Sequence, residues 1–242
     1  MSEPSGKNSL RKKAAWIALA VIICGWIIYR GAVLPSLRYW GSTKAELAMK
    51  LPGDELVPQP PILIMNHAIT IDVPAAEIYP YFVQLGQDRA GFYSFDWLER
   101  LSGFGIHNSY TIHPEWQNLK AGDFVTFHQK GMGMRVAAVE PGKYIVLITD
   151  SRDRNHPLPP GKWEFFPVPD GKYVAWNWIF CLQPISATQT RVYSRTYATW
   201  TDSNPFLNFA LANAFELPSD VMDRKMLLTI KELAEAKHAS KP

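Results

Sequence analysis

Two carboxylates stand three positions apart near the end of the stretch QLGQDRAGFYSFDWLERL, residues 84–101. They are Asp96 and Glu99, and a pair of neighbouring carboxylates can divide the acid and base roles of a reaction. The same Asp-x-x-Glu spacing at the start of a helix also forms a capping box, with Glu in the third helical position. Because a helix must begin near this point, we predict a capping box and retain Asp96 and Glu99 only as weak catalytic candidates.

Arg89 lies in the same stretch, close to aromatic residues that could share a ligand with it. An Arg near Tyr93 and Trp97 can stack on a ring or hold a ligand carboxylate through two hydrogen bonds. The alternative is a structural ion pair, since a buried Arg is usually paired with an Asp or Glu. Gly86 and Gly91 predict a chain reversal with positive φ angles, and no GxGxxG or Walker pattern is present. We predict Arg89, Tyr93 and Trp97 as ligand-binding candidates.

The histidines and nucleophilic side chains match no known catalytic or metal-binding pattern. His107, His113 and Glu115 are close in sequence, but their spacing fits no zinc motif such as HExxH. Ser94 lacks the GxSxG elbow, and Cys181 lies in the apolar run WIFCL, where an inert buried thiol is expected. The sequence therefore predicts no metal site, no cofactor and no catalytic triad.

Composition excludes several classes of protein. The chain has 242 residues, 47% of them hydrophobic, which is enough for one generous domain with a core of its own. The formal net charge is +3, and Lys and Arg form no basic block beyond the N-terminus, so no nucleic-acid partner is expected. With two cysteines in separate apolar runs, no disulfide framework can be drawn.

The N-terminal region predicts a membrane anchor. A basic tail, residues 1–13, precedes the uncharged run AAWIALAVIICGWIIY, and we assign residues 14–37 to one transmembrane helix. No small-residue cleavage pattern follows the run, which favours an uncleaved single-pass anchor in the lipid bilayer of the cell membrane. By the positive-inside rule, the N-terminus lies in the cytoplasm and the domain outside it.

The remaining chain divides into a tether and a folded domain. Residues 38–61 contain a short helical stretch and then four prolines between positions 52 and 61, so we predict a semi-rigid juxtamembrane tether. Residues 62–238 show a strand, two short helices, about six antiparallel strands and a long helix that starts at Asn204-Pro205 and is divided by Pro218. The predicted strands are HAITIDV, DFVTFH, MRVAAVE, YIVLITD, KWEFFPV, YVAWNWIFCL and TRVYSRTYATW. This order predicts an α+β fold in which the sheet curls around one long helix and leaves room for a cavity.

Strand and helix periodicity indicates which residues could line that cavity. Trp176 and Trp178 share one strand face, and Met222 and Met226 share one helix face, so all four are core or cavity-wall candidates. The alternate residues of the last strand are Arg191, Tyr193, Arg195 and Tyr197. They could line a pocket for an amphipathic ligand or form the solvated outer face of the sheet.

Four segments, LPGDELVPQP, QLGQDRAGFYSFDWLERL, HPEWQNLKAGD and MDRKMLLTIKELAE, carry a resemblance to a known superfamily. They are similar to a membrane-anchored bacterial branch of the START-like superfamily, also called SRPBCC, which includes polyketide cyclases/dehydrases and lipid-transport domains. The resemblance runs from about Gly41 to Glu235. It implies a helix-grip fold, in which a curved antiparallel sheet wraps around a long C-terminal helix, and a hydrophobic ligand cavity.

The resemblance names a fold more specifically than a reaction, because this superfamily hosts binders, carriers and enzymes on one scaffold. We expect a membrane-anchored domain that binds a small hydrophobic or amphipathic ligand, such as a lipid or a polyketide-like compound. A cyclase- or hydrolase-type enzyme that uses the same cavity is the first alternative. The second is a non-catalytic interaction module with a filled core and no internal pocket.

Overall fold

The computed structural model describes residues 5–101, 103–153, 155–163, 171–201 and 205–240, which form an α+β fold. Its α-helices are α1 (Ser5–Ile28), α2 (Leu34–Arg38), α3 (Lys44–Ala48), α4 (Ala75–Val83), α5 (Asp96–Leu101) and α6 (Pro205–Ala239). Its strands are β1 (Leu63–Ile71), β2 (Phe124–Thr126), β3 (Gly133–Glu140), β4 (Tyr144–Asp150), β5 (Val174–Ser186) and β6 (Gln189–Trp200).

The strands form one antiparallel sheet in the order β1-β6-β5-β4-β3-β2. The first strand of the chain therefore lies beside the last one, and Met65 on β1 is opposite Thr196 on β6. Thr196 is in turn opposite Trp178 on β5, which brings side chains from three strands together on one face. This face is the one on which a cavity can form.

Helices α4 and α6 cover the inner face of the sheet. The main hydrophobic core packs Ile78 and Phe82 of α4 and Met226 of α6 against strand residues such as Phe180. The rings of Phe82 and Phe180 lie 4.9 Å apart. The long C-terminal helix held against a curved sheet is the predicted helix-grip arrangement.

One detail of the predicted elements differs in the structure, and two others lie outside the described residues. The long helix continues through Pro218 and is not divided there, although a proline removes one helical hydrogen bond. Ion pairs of Glu216 with Arg38 and of Asp220 with His67 hold the helix on both sides of the proline. Most of the predicted strand KWEFFPV, and the predicted cap at Asn204, lie outside the described residues.

The N-terminal helical region is the one part of the described chain long and apolar enough to cross a bilayer. A π-helical turn, Tyr29–Val33, joins α1 to α2, so the backbone is helical without a break to Arg38. The candidate span is Leu10–Arg38, which has 29 residues and contains an 18-residue window with a mean hydropathy of 2.2. Its apolar side chains are mostly exposed, as expected for a helix that is not part of the core of the domain.

Most of the segment between the candidate span and β1 packs against the outer face of the sheet. Helix α3 begins with a capping box, in which Thr43 and Glu46 each bind the backbone amide of the other. Beyond it, Leu51 is buried in a second apolar cluster together with Val146 and Ile179. The prolines of this segment do not keep it away from the domain.

Arg195 fastens this segment to the sheet. Its side chain is 1% exposed, and it donates to the carbonyls of Glu46 and Met49 and to Asp54 Oδ2, the last at 2.6 Å. The face formed by Arg191, Tyr193, Arg195 and Tyr197 is the outer face of the sheet, as one of the two interpretations had it, and none of the four lines the cavity. The segment before β1 covers part of this face, so that Tyr193 and Arg195 are buried and Arg191 and Tyr197 are half-buried. Alternation tells which residues share a face and not what covers it.

Candidate functional site

A cavity of about 640 Å³ lies between the inner face of the sheet and the middle of α6. Strand residues in its wall include Leu63, Met65, Met134, Trp176, Trp178 and Thr196, and helix residues include Leu98, Glu99, Glu216–Asp223 and Met226. The loops add Phe92, Ser94, Phe104, Ile106 and Phe127. Apolar and aromatic side chains thus make up most of the lining.

Four of the predicted ligand-binding residues lie in this wall. Strand alternation brings Trp176 and Trp178 to the inner face, and the helical spacing of four residues brings Met222 and Met226 to the same side of α6. Trp178 is fixed in place, since its Nε1 donates to Ser194 Oγ at 3.0 Å. Its ring also contacts those of Phe92 and Phe127, whose centroids lie about 6 Å away.

The other three predicted ligand-binding residues lie outside the cavity wall. Arg89 donates from Nη1 to the carbonyl of Val83 at 3.3 Å, so within the described chain it grips no carboxylate. Tyr93 is fully buried, and its hydroxyl accepts a hydrogen bond from Gln84 Nε2 at 2.5 Å. Trp97 is 58% exposed. Although Arg89, Tyr93 and Trp97 are close in sequence, their side chains have different surroundings and do not form one site.

The stretch around Arg89 is a chain reversal, as its glycines predict. Gly86 and Gly91 have φ angles of +139° and +72°, and their backbones pair with each other. A Cβ atom on Gly91 would lie 2.6 Å from Asn108 Oδ1. Glycine is therefore required there both for its φ angle and for space.

The predicted capping box at Asp96 and Glu99 is wrong. Asp96 pairs instead with Arg100, one helical turn later, at 2.9 Å. Glu99 is 3% exposed and lines the cavity, and neither of its carboxylate oxygens has a hydrogen-bond partner among the described residues. Burial, followed by repulsion from Asp96, raises the pKa of Glu99 to about 7.

A buried ion-pair cluster, which the sequence did not predict, lies beside the cavity at helix α6. His67 on β1 is fully buried, with its Nδ1 at 2.7 Å from Asp223 Oδ2 and its Nε2 at 2.8 Å from the carbonyl of Leu37. Asp220 lies 3.5 Å from the same Nε2. Burial lowers the pKa of His67, but the hydrogen bond to Asp223 and the negative charges of both aspartates outweigh it and raise the pKa to about 9. His67 is thus a cation at neutral pH and donates from both nitrogens.

The same cluster extends to the end of the candidate span. Glu216 is 2% exposed and forms an ion pair with Arg38, with Arg30 at 3.9 Å from its other oxygen. Asp223 Oδ1 accepts from Ser194 Oγ at 2.6 Å as well. Two features of the sequence point to this cluster. His67 lies two residues after Met65 on β1 and therefore on the same inward face of the strand. Three acidic residues, Glu216, Asp220 and Asp223, recur along one face of α6.

Metal binding gains no support from these acidic residues. Within the described parts of the chain, no group of three or more His, Cys, Asp and Glu side chains is arranged to hold a metal ion. The ring of His113 packs against that of Trp116, with centroids 4.1 Å apart.

Comparison with known proteins finds likeness only at the level of fold. No protein-family model and no curated protein matches the chain. The chain is similar to the Aha1 dimer from Colwellia psychrerythraea, with 16% identity, a TM-score of 0.33, and coverage of 72% of this chain and 96% of that one. It is also similar to the Zhui aromatase/cyclase from a Streptomyces species, with 9% identity, a TM-score of 0.31, and coverage of 73% and 96%.

A hypothetical protein from Helicobacter pylori is a further neighbour, with 10% identity, a TM-score of 0.40, and coverage of 78% of this chain and 95% of that one. All three neighbours share at most 16% identity with this chain. With TM-scores below 0.5 they carry no argument about ligand or reaction. The fold assignment rests on the order of elements and the sheet topology of this chain.

The buried ion pair of His67 predicts a large effect of its removal. His67→Gln leaves Asp220 and Asp223 buried without their cation, and we expect a loss of about 3 kcal/mol in the free energy of unfolding at pH 7. The matched control is His113→Gln, whose partner Glu115 is 63% exposed, and a loss below about 1 kcal/mol is expected there. Urea unfolding of the full chain in mild detergent, followed by tryptophan fluorescence, measures both.

This effect also depends on pH. Because the pKa of His67 is raised from 6.5 to about 9, its stabilisation is complete below pH 6.5 and is lost as pH rises through 9. The difference between the parent protein and His67→Gln therefore shrinks at high pH. Equal stability of the two histidine variants at pH 7 would show that the buried pair does not hold the fold.

The raised pKa of Glu99 predicts a second pH dependence of the free energy of unfolding, which arises from a buried acid and not from a buried base. Its value of about 7 exceeds the ordinary 4.5, so the protonated form stabilises the fold and that stabilisation is lost as pH rises through 7. In Glu99→Gln this loss is absent. We expect the free energy of unfolding of the variant, relative to that of the parent, to increase by about 2 kcal/mol between pH 5 and pH 8. Glu55→Gln, which alters an exposed carboxylate outside the cavity wall, is the control, since Asp96 itself contributes to the raised pKa of Glu99. The same urea unfolding at both pH values measures the difference, and a pH-independent difference contradicts the prediction.

Proposed function

We propose that this chain is a membrane-anchored domain that binds a small hydrophobic or amphipathic molecule, such as a lipid or a polyketide-like compound, inside its cavity. The observation that carries this proposal is a cavity of about 640 Å³ with a mainly apolar lining. Ligand sites in proteins typically enclose roughly 300–1,000 Å³ and combine apolar walls with a few polar groups. An interaction module with a filled core would have no such space.

The chemistry of the cavity wall supports an elongated or irregular apolar ligand. Trp176 and Trp178 offer flat aromatic surfaces on the sheet side, and Met222 and Met226 face them from α6. Methionine side chains are flexible and polarisable, so they adapt to apolar ligands of uneven shape. The aromatic and thioether groups together favour a hydrocarbon or fused-ring body over a sugar or nucleotide.

The candidate span supports attachment to a bilayer. Leu10–Arg38 is longer than the roughly 20 apolar residues that cross a membrane. Basic residues stand at its N-terminal end, before the uncharged run, which favours an N-terminus in the cytoplasm and a domain on the other side. An anchored cavity stays close to a source of apolar ligands, so the anchor and the cavity serve one purpose in this proposal.

Glu99 favours a second candidate function, a cyclase- or hydrolase-type enzyme. A carboxyl group with a pKa of about 7 in an apolar cavity is suited to general acid–base catalysis near neutral pH. Its expected partner, Asp96, pairs with Arg100 outside the cavity wall, so one carboxylate would act without the other. Under this candidate Glu99→Gln binds the compound and leaves it unconverted, and conversion by that variant would exclude Glu99 as the catalyst.

Filling the cavity tests the binding function. Met222→Trp adds bulk to the cavity wall, whereas Leu228→Trp adds it to an exposed face of the same helix. Native mass spectrometry of the full chain, purified from membranes in detergent, is expected to show a small-molecule adduct in the parent and in Leu228→Trp and none in Met222→Trp. A parent protein that never carries an apolar adduct, whether copurified or added, contradicts the proposal.

Reporter fusions test the anchor and its orientation. We expect the full chain to remain in the membrane pellet after alkaline carbonate extraction. Alkaline phosphatase fused after Pro242 is expected to be active, and green fluorescent protein at the same position dark. Reversing the charges of Arg11, Lys12 and Lys13 should reduce the phosphatase signal, because these residues lie at the N-terminal end of the span, ahead of the uncharged run that begins at Ala14. A bright fluorescent fusion in the parent would overturn the orientation.

A further inference from the structure

One side of the cavity is acidic, although most of its wall is apolar. Four carboxylates line it: Glu99 from α5, and Glu216, Asp220 and Asp223 from α6. All four are buried, with exposures between 2% and 4%. No Lys or Arg occurs among the described residues of the cavity lining. The cavity wall therefore offers hydrogen-bond acceptors in excess of cationic donors.

Two of these carboxylates are held by charged groups of the protein itself. Asp223 receives hydrogen bonds from His67, Ser194 and Trp178, at 2.7, 2.6 and 3.2 Å. Glu216 forms its ion pair with Arg38 through Oε1, and its Oε2 lies 3.9 Å from Arg30. These two groups belong to the cluster that holds α6 in place.

Glu99 and Asp220 are left without donors. Neither oxygen of either carboxylate has a hydrogen-bond partner in the described part of the chain. The nearest cation to Asp220 is His67, but its Nε2 at 3.5 Å already donates to the carbonyl of Leu37 at 2.8 Å. A buried acceptor left unpaired destabilises the fold, and it does so more strongly if it is charged. A ligand that donates hydrogen bonds to these oxygens would recover that free energy.

The aromatic wall adjoins this acidic side. Trp178 links the two, since its ring contacts Phe92 and its Nε1 donates to Asp223 Oδ1. An ammonium group near such rings gains a further attraction from their electron-rich faces. Burial raises the pKa of Asp220 as well as that of Glu99, and a cation between the two carboxylates would reverse both shifts.

We propose that the cavity selects amphipathic molecules whose polar end is a hydrogen-bond donor, an alkyl amine above all, and rejects those that end in a carboxylate. This selectivity rests on the proposed binding function and names its ligand class. The apolar body of such a molecule lies against the tryptophans and methionines, and its amine donates to Glu99 and Asp220. A ligand carboxylate would face the same unpaired oxygens with acceptors only, so its burial there is unfavourable.

Competition among probes of equal chain length tests this selectivity. The full chain, delipidated in detergent, is incubated with equal concentrations of dodecylamine, dodecanol and dodecanoate at pH 7.5, and bound species are counted by native mass spectrometry. We expect dodecylamine to be bound at least tenfold more than dodecanoate, with dodecanol between them. Glu99→Gln should lower the ratio of amine to alcohol severalfold, and Glu55→Gln, which removes an exposed carboxylate outside the cavity wall, should leave it unchanged.

The outcomes separate this inference from the function on which it rests. Equal binding of the three probes, or a preference for dodecanoate, overturns the selectivity while the binding function stands. A preference for the amine that is the same in Glu99→Gln and in the parent removes Glu99 from the site. If the folded parent binds none of the probes, the selectivity and the proposed binding function fail together.

Discussion

The buried ion pair between His67 and Asp223 fastens strand β1 to the C-terminal helix, and the geometry of the cavity depends on it. The pair places α6 across the inner face of the sheet, so that Met222 and Met226 face the tryptophans of β5. Buried ion pairs contribute little net stability, but removing one partner is costly, because a single uncompensated charge remains. Such a pair therefore specifies where α6 lies more than it adds to the free energy of folding.

The ion-pair cluster also connects the cavity to the candidate membrane span. Glu216 joins α6 to Arg38 at the end of that span. It lies four residues before Asp220, one of the two aspartates beside His67. The acidic side of the cavity thus lies beside the junction of anchor and domain. A ligand that leaves a bilayer would meet this junction early, which gives the position of the cavity a functional meaning under the proposed role.

The two unpaired carboxylates in the cavity wall destabilise the fold, and other contacts offset this cost. The main core packs α4 and α6 against the sheet, and Arg195 holds the segment before β1 on the outer face through carbonyls and Asp54. Natural proteins commonly depart from complete packing and pairing at their functional sites. In this chain the cavity and the two unpaired carboxylates occur together at one place, between the inner face of the sheet and α6.

Local sequence was sufficient where local physics decides the structure. Alternation placed β4 at YIVLITD, where the structure has Tyr144–Asp150, and the same rule placed Trp176 and Trp178 on the inner face. Capping shows the limit of such rules. The Asp-x-x-Glu motif at Asp96 forms no capping box, because Glu99 lies in the cavity wall, whereas Thr43 and Glu46 do form one. A motif states which hydrogen bonds are possible, and the surroundings decide which are made.

By itself, the sequence determined the apolar N-terminal run, the order of strands and helices, the α+β class and the cavity-facing positions of β5 and α6. Only the tertiary structure decided which charged groups are buried together. His67 and Asp223 are 156 residues apart, and Arg195 and Asp54 are 141 apart. Periodicity tells which face of an element a residue occupies, but the group opposite it comes from a distant part of the chain, and only folding brings the two together.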